Sequence, residues 1–423
     1  MDFSVPSEVC IIGGAGHVGL PLALAFAKSG KSVLIYDINE ESLRRIAAGE
    51  VPFMEDGAEE LLPEVLASGR LQLSSDPARV ADAETVIITI GTPVDEFLNP
   101  VFKLIRNCID TLLPHLRDGQ LLVLRSTVYP GTTDWLARHL NDHGRNLLIS
   151  FCPERVVQGK ALEEIQKLPQ LISGVTDEAR DKAAKLFSAV APEVVYLEPI
   201  EAEFAKLFNN AYRYIEFAIA NEFYMIMRAA GVDYNRVLEG MSKNYPRAKN
   251  IPKPGFAAGP CLFKDTMQLS AFSNNRFSLG HSAMLVNEGL VLHIVDEIGN
   301  SQKLENLTVG LLGMAFKADN DDTRSSLSYK LKKVLEFRAK RVLTTDPHVT
   351  TDSELLALEE VIEKSDLLIL CVPHSSYKGL DLKGKEVVDI WGFFNKKAEG
   401  STPALNTVTT VSGLPLSGVQ HVG

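Results

Sequence analysis

Apolar residues fall along this chain in short continuous runs, not in strict alternation with polar ones. VCIIGG (9–14), SVLIYD (32–37), TVIITIG (85–91), LLVLRS (121–126) and NLLISF (146–151) are such runs, and helical stretches such as GLPLALAFAKSG (19–30) lie between them. A strand that is apolar at successive positions is buried on both faces, so the pattern predicts a parallel sheet covered by helices. LISGV (171–175) and VVYLE (194–198) are expected to extend that sheet. The pattern changes after Pro199. One long helical pattern runs from Glu201 to about Gly231 without an internal proline or glycine, and helical character resumes after a 244–260 loop as far as Gly299. Strand-like runs return at NLTVGLLGMAF (306–316), RVLTTDP (341–347), DLLILCVP (366–373) and EVVDIW (386–391). The expected fold class is α/β, with two Rossmann-like, doubly wound parallel-sheet domains joined by a long-helix central region. The divisions are 1–198, 199–300 and 301–400, followed by a Ser/Thr/Gly-rich tail, 401–423, expected to be flexible.

Bulk properties narrow the function. A chain of 423 residues with 45% hydrophobic content can build two or three cores. The net charge of −11 argues against a nucleic-acid partner, which needs a basic surface. No run reaches the ~18–20 apolar residues of a membrane span, and the opening MDFSVPSEVC shows no signal-peptide pattern. The five cysteines, Cys10, Cys108, Cys152, Cys261 and Cys371, are odd in number and far apart, which predicts a reducing, cytoplasmic setting without disulfides. The nine histidines are scattered without metal-ligand spacing, so no metal is expected.

The chemistry starts at the first loop. Gly14, Gly16 and Gly19 make G-x-G-x-x-G between a strand and a helix, with His17 and Val18 inside it. Glycines there allow a tight turn and bring backbone N–H groups against a pyrophosphate. Asp37 ends the next strand, placed to accept from a ribose 2′-hydroxyl and to repel a 2′-phosphate, which favours NAD over NADP. An ordinary tight turn is the plainer reading, and the ordered strand, helix and acid outweigh it. Thr92–Pro93 and Thr127 follow strands at the edge where α/β sheets bind ligands, though such residues also suit plain turns.

Two further groups stay open on spacing alone. Glu203, Lys206 and Asn210 share one face of the long helix, where a cation and an amide could stabilise an oxyanion; a solvated face fits the spacing better. Cys261 follows Gly259–Pro260 at an expected helix start, with Asp265 one turn on. A helix N-terminus would lower a thiol pKa, yet most lone cysteines are packing.

Seven ordered motifs, GAGHVGLPLA, GTPVDE, RSTVYPGTT, CPERVVQGKAL, EAEFAKLFNNAYRY, GPCLFKD and GMAFKADNDDTRSS, resemble those of the UDP-glucose/GDP-mannose dehydrogenase family over the chain to about residue 395. The resemblance implies a four-electron, NAD-dependent oxidation of a nucleotide-sugar C6 alcohol to the acid, and a homodimer through the central helices. It implies Cys261 as the nucleophile forming a thiohemiacetal and then a thioester. By the same resemblance Lys206 and Asn210 stabilise oxyanions, Asp265 orients a water or the lysine, Glu154 is the base for thioester hydrolysis, and Thr127 sits near the reacting carbon and the cofactor. Arg155 and Val156 beside Glu154, together with Arg247, Phe256, Gly259 and Lys317, would contact the sugar nucleotide, and Arg324 the cofactor pyrophosphate.

The chain departs from the family at His17, where an aromatic residue is common, at Phe263, where proline is frequent, and at Gln158, where the UDP-glucose enzymes carry a glutamate. PERVVQGKAL is nearer the branch acting on UDP-N-acetylmannosamine or UDP-N-acetylglucosamine, and the expected substrate is a UDP-N-acetylhexosamine destined for a surface polysaccharide or glycoconjugate. UDP-glucose is the alternative. A binding protein without turnover is disfavoured by the presence together of Cys261, Lys206, Asn210, Asp265 and Glu154. A simple two-electron hydroxyacid dehydrogenase has no use for the second α/β region.

Overall fold

The computed structural model describes residues 7–394; the tail expected at 401–423 lies outside them. Six strands, β1 Val9–Ile12, β2 Val33–Tyr36, β3 Leu71–Ser74, β4 Thr85–Ile88, β5 Leu121–Leu124 and β6 Leu148–Phe151, form one sheet. Their order is β3-β2-β1-β4-β5-β6 and every neighbouring pair is parallel. Strand order reverses between β1 and β4, which creates a crevice at the C-terminal edge. The apolar runs explain the layering. Val9, Ile11, Val33 and Ile35 pack into a buried cluster with the helix Gly19–Lys28, while Cys10, Ile12, Leu34 and Ile88 face the opposite cluster with Ile105 and Ile109.

β7 Gln170–Ile172 and β8 Val194–Tyr196 do not extend this sheet, contrary to expectation; they pair in parallel as a sheet of their own. The N–H groups of Ser173 and Val175 donate to Phe151 and Ile149, so the chain folds back beside β6 as it leaves β7. Val195 and Tyr196 are exposed, which a doubly covered strand would not allow. β3 was absent from the sequence reading because LQLS is short and half polar.

A second parallel sheet holds β9 Thr308–Leu312, β10 Arg341–Thr345, β11 Leu367–Leu370 and β12 Glu386–Asp389, in the order β10-β9-β11-β12. Between the two sheets in sequence runs the 31-residue helix Pro199–Ala229. The helical stretch after the 244–260 loop is broken into Leu262–Phe272 and Ser278–Ser301. Asn274 and Asn275, at φ 52° and 59°, turn the chain there.

By contacts the chain divides into two units. One comprises residues to Ile215 together with Ala258–Ser282 and Asn320–Ser325; the other comprises Glu216–Ala257, Ala283–Asp319 and the chain from Ser326. Among the described residues no helix is long and apolar enough to cross a membrane.

The glycines of the first loop differ in what they are for. A Cβ on Gly19 would lie 2.5 Å from Gly14 Cα and 2.6 Å from the Gly13 oxygen, whereas one on Gly16 would meet nothing closer than 3.5 Å. Gly19→Ala should therefore cost about 2 kcal/mol or more, as overpacking does. Gly16→Ala should stay within ~0.5 kcal/mol of the parent. Thermal denaturation of both variants checks this, and equal losses would contradict it.

Candidate functional site

The first unit builds a dinucleotide cradle at the sheet's switch point. Gly13 donates its N–H to Tyr36 O at 2.9 Å, and Thr89 Oγ1 donates to Ile12 O at 2.8 Å, so the turn is fixed to the neighbouring strands. Asp37 Oδ2 accepts the Ala15 N–H at 3.0 Å and Oδ1 the Asn39 N–H at 2.9 Å. The half-buried carboxylate thus sits beside the glycine loop, where a ribose would reach it. Ile38, 83% exposed, offers an apolar shelf next to it. Val18 caps the helix Gly19–Lys28, and the space over Gly16 is open. These features fit NAD. His17 stacks on Phe53 with ring centroids 4.1 Å apart. Burial first, and then the charge of Arg324, hold its imidazole below the ordinary pKa, so it is neutral and packs as an aromatic would.

Beside the cradle, polar side chains from four segments meet. Thr92 Oγ1 donates to Thr127 O at 2.6 Å and accepts from Lys264 Nζ at 3.1 Å. The same ammonium lies 3.2 Å from Asp265 Oδ1. Asp265 is fully buried, and its Oδ2 accepts the amide of Asn210 at 2.5 Å. That bond gathers the faces of the helices Pro199–Ala229 and Leu262–Phe272. Lys206, one turn before Asn210, is 8% exposed, and no hydrogen bond or ion pair holds its ammonium among the described residues. Pro93 is exposed beside Thr92. Gly259 donates its N–H to Ser325 O at 3.3 Å, in the segment that carries Arg324. Lys264, the residue before Asp265, carries no spacing signal that marks it in the sequence.

Cys261 caps the helix Leu262–Phe272 and is exposed. Its thiol pKa is raised, contrary to the expected lowering. Protein crowding around the sulfur costs a thiolate its solvation, and the Asp265 carboxylate repels it. The cations of Lys264, Lys206 and Arg324 pull the other way without overcoming this. As the cap residue, Cys261 stands outside the first turn, where the helix field is strongest. It is therefore a protonated thiol at neutral pH.

Glu203 is buried and takes no part in a solvated face. Its carboxylate accepts the N–H groups of Gly131 at 2.5 Å and Thr133 at 2.8 Å, with the Thr133 hydroxyl at 2.5 Å. Glu154 is also engaged. Oε2 pairs with buried Arg125, at 2.9 Å to Nε and 2.5 Å to Nη2, and Oε1 accepts the N–H groups of Arg155 at 2.7 Å and Val156 at 2.8 Å. The Arg155 guanidinium donates to Pro169 O. Arg125 lies 29 residues from Glu154 in sequence, and no short motif signals their pairing.

Arg247, Phe256 and Lys317 belong to the second unit. Arg247 is exposed and donates to Tyr245 Oη at 3.2 Å, Phe256 is buried, and Lys317 follows the central strand β9. Asp319, His348 and His374 gather in that unit in a way their spacing does not show. Both ring nitrogens of His374 are already used, Nδ1 accepting the Asp319 N–H at 3.0 Å and Nε2 bonding Asp346 at 3.0 Å, so the cluster is built as a loop fastening.

Family models cover most of the chain. The NAD binding domain of the UDP-glucose/GDP-mannose dehydrogenase family matches residues 7–191, its central domain 200–289 and its UDP binding domain 310–396. The chain belongs to this family. It is an NAD-dependent nucleotide-sugar dehydrogenase. The UDP-N-acetyl-D-mannosamine dehydrogenase of Pyrococcus horikoshii is 30% identical over 384 residues, covering 87% of this chain and 90% of that protein. Its namesake in Methanocaldococcus jannaschii is 28% identical over 93% of this chain and 94% of its own. Among solved structures, the UDP-D-ManNAc dehydrogenase of P. horikoshii superposes with a TM-score of 0.83 at 28% identity, covering 90% of this chain and 93% of that one. A UDP-glucose dehydrogenase from Pyrobaculum islandicum superposes with the same score, 0.83, at 27% identity, covering 92% and 95%.

The electrostatics at Cys261 generate a test. Its alkylation by iodoacetamide should keep accelerating above pH 9, because the thiolate forms above the ordinary cysteine pKa. Lys264→Met, which deletes an opposing cation, should move the profile further upward. A plateau below pH 8 would contradict the environment described.

Proposed function

We propose that this dehydrogenase oxidises the C6 alcohol of a UDP-N-acetylhexosamine to the carboxylic acid, with two equivalents of NAD+, through covalent intermediates on Cys261. The observation that carries this reading is an exposed cysteine whose sulfur feels the charges of Asp265, Lys264, Lys206 and Arg324, with Asn210 bonded to Asp265. NAD+ would supply the hydride acceptor for each oxidation, and Gly14, Gly16, Gly19, Asp37, Thr92, Thr127 and Arg324 would hold it.

Lys206 is buried, and no hydrogen bond or ion pair among the described residues holds its ammonium. It would stabilise the alkoxide left when the C6 hydroxyl gives its proton to solvent ahead of hydride transfer, and the oxyanion of the thiohemiacetal. Attack by the Cys261 sulfur on the aldehyde carbon forms the C–S bond and moves the thiol proton toward the Asp265–Lys264 pair. Loss of the second hydride leaves a thioester. Water adds to it, the C–S bond breaks, and the thiol is regenerated with the acid. Glu154 serves hydrolysis as base only after one oxygen leaves its present partners; as held, it fixes the backbone at Arg155 and Val156, where the sugar would lie. Arg247, Phe256, Gly259 and Lys317 complete the substrate contacts in this reading.

Support for an N-acetylated sugar comes from the printed names of the P. horikoshii and M. jannaschii relatives and from the PERVVQGKAL run. UDP-glucose is the second reading, because the P. islandicum structure superposes equally well. The product acid would feed a surface polysaccharide or glycoconjugate, made in the cytoplasm. A homodimer is part of the proposal: Phe208, Tyr212, Ile219, Phe223 and Ile226 are exposed at near-helical spacing along Pro199–Ala229.

With limiting sugar, NADH release should reach two equivalents for UDP-N-acetylmannosamine or UDP-N-acetylglucosamine and stay near zero for GDP-mannose. One equivalent would remove the covalent route, and turnover of UDP-glucose alone would select the second reading. Cys261→Ser should lose acid production by about 10³-fold or more while sugar-nucleotide binding persists. Parent-like turnover in that variant would end the covalent mechanism.

A further inference from the structure

The helix Leu262–Phe272 carries a buried amide, Gln268, one turn beyond Asp265. It is 1% exposed, and its Oε1 has no hydrogen-bond partner among the described residues. A buried oxygen without a donor costs stability. Folding alone therefore does not account for an amide here, where an apolar side chain of similar length would pack without that cost.

The helix Pro199–Ala229 runs antiparallel beside it, and three contacts fix the register. Asn210 bonds Asp265, Leu207 and Leu269 share one buried cluster, and the rings of Phe204 and Phe272 lie 5.1 Å apart. Numbers fall on one helix as they rise on the other, so Gln268 stands at the level of Lys206 and Leu207. Each residue turns a helix by about 100°. From the Asn210–Asp265 seam, Leu207 and Leu269 turn to one side, where they join Phe204 and Phe277. Lys206 and Gln268 turn to the other side, as do Cys261 and Lys264. The charge of Lys206 reaches the Cys261 sulfur from there. Two buried groups without partners thus share one side of one seam at one level. The ammonium can only donate, and the amide oxygen can only accept.

We propose that Gln268 is a positioning residue for Lys206: its amide oxygen accepts from the ammonium and keeps it on the Cys261 side of the seam. Rotation about the flexible lysine stem brings the two groups together. The inference rests on reading Lys206 as the group that stabilises oxyanions at C6. A long side chain left unheld must be ordered at every turnover, which costs rotamer entropy. A neutral acceptor suits the task. It orients the ammonium without cancelling its charge and leaves other N–H donors for an oxyanion. A carboxylate in its place would form an ion pair and compete with the oxyanion.

The test is NADH release by the full chain with UDP-N-acetylmannosamine, or with UDP-glucose where the parent oxidises only that. Gln268→Met, close in size but without the amide oxygen, should lower kcat about tenfold. KM for the sugar nucleotide and for NAD+ should stay within about twofold, because the oxyanion exists only after both are bound. Gln268→Asn, which keeps an amide oxygen, should stay within about threefold of the parent kcat. Thermal denaturation should show Gln268→Met no less stable than the parent, since it removes an unpaired buried oxygen. Lys206→Met sets the reference and should lower kcat about 100-fold or more. Adding Gln268→Met to it should lower kcat by no more than about twofold, because nothing is left to position. Equal losses from Gln268→Met with and without Lys206 would overturn the inference, as would a raised KM with kcat intact. Parent-like kcat in Gln268→Met beside an impaired Lys206→Met would overturn it too and leave the reading of Lys206 standing. If Lys206→Met turns over as the parent does, that reading falls and the inference falls with it.

Discussion

The ammonium of Lys264 is the fastening on which the assembled site depends. It joins Thr92, in the loop after β4, to Asp265, on the helix behind Cys261. Thr92 passes the connection to the backbone at Thr127, after β5, and Asp265 passes it to Asn210 on the long helix. Three contacts and one cation thereby align four segments far apart in sequence. Each of these groups is partly or wholly withdrawn from water, where a chain of polar contacts is strong when complete and costly when broken. The placement of these side chains follows from this fastening. The sheet supplies the edge, and the buried polar chain sets which side chains stand along it.

The same logic gives Cys261 its character. A fully exposed thiol would ionise near pH 8.5 but be held by nothing. Crowding and the Asp265 charge keep this one protonated, and three cations limit the cost of ionising it. Glu154 shows the opposite arrangement. Arg125 and two backbone N–H groups hold its charge in place, so its carboxylate organises the loop that follows β6.

What could be read from the chain was what lies close together in it. The glycine loop, Asp37 and the doubly apolar strands each occupy a few consecutive residues, and the structure shows them as expected. β3 was missed because a four-residue strand with a half-polar face leaves little pattern, and β7 and β8 were misassigned because an apolar run does not name its neighbour. Lys206 with Asn210, and Cys261 with Asp265, form two separate local groups in the sequence, and the ordered motifs resemble a family that ties them to one chemistry. The contacts that assemble them were not legible. Lys264 to Thr92 spans 172 residues, and Asn210 to Asp265 spans 55. The direction of the Cys261 pKa also depends on packing density, which local spacing does not carry.

The two parallel sheets invite a comparison at one position. Each has an aspartate at the end of the strand beside its central one, Asp37 after β2 and Asp346 after β10. Asp37 accepts from Ala15 and Asn39 and remains half-buried, within a ligand's reach. Asp346 is wrapped: it accepts from Met314 at 2.6 Å, Ala315 at 2.9 Å, His348 at 2.8 Å and Val349 at 3.1 Å, and bonds His374. Burial alone would raise its pKa, yet His374 and the surrounding amides bring it to about 2. Sealed in this way, it has no oxygen to give a ribose. The chain therefore carries two parallel sheets with matching strand-end aspartates, and only in the second is the carboxylate wholly buried.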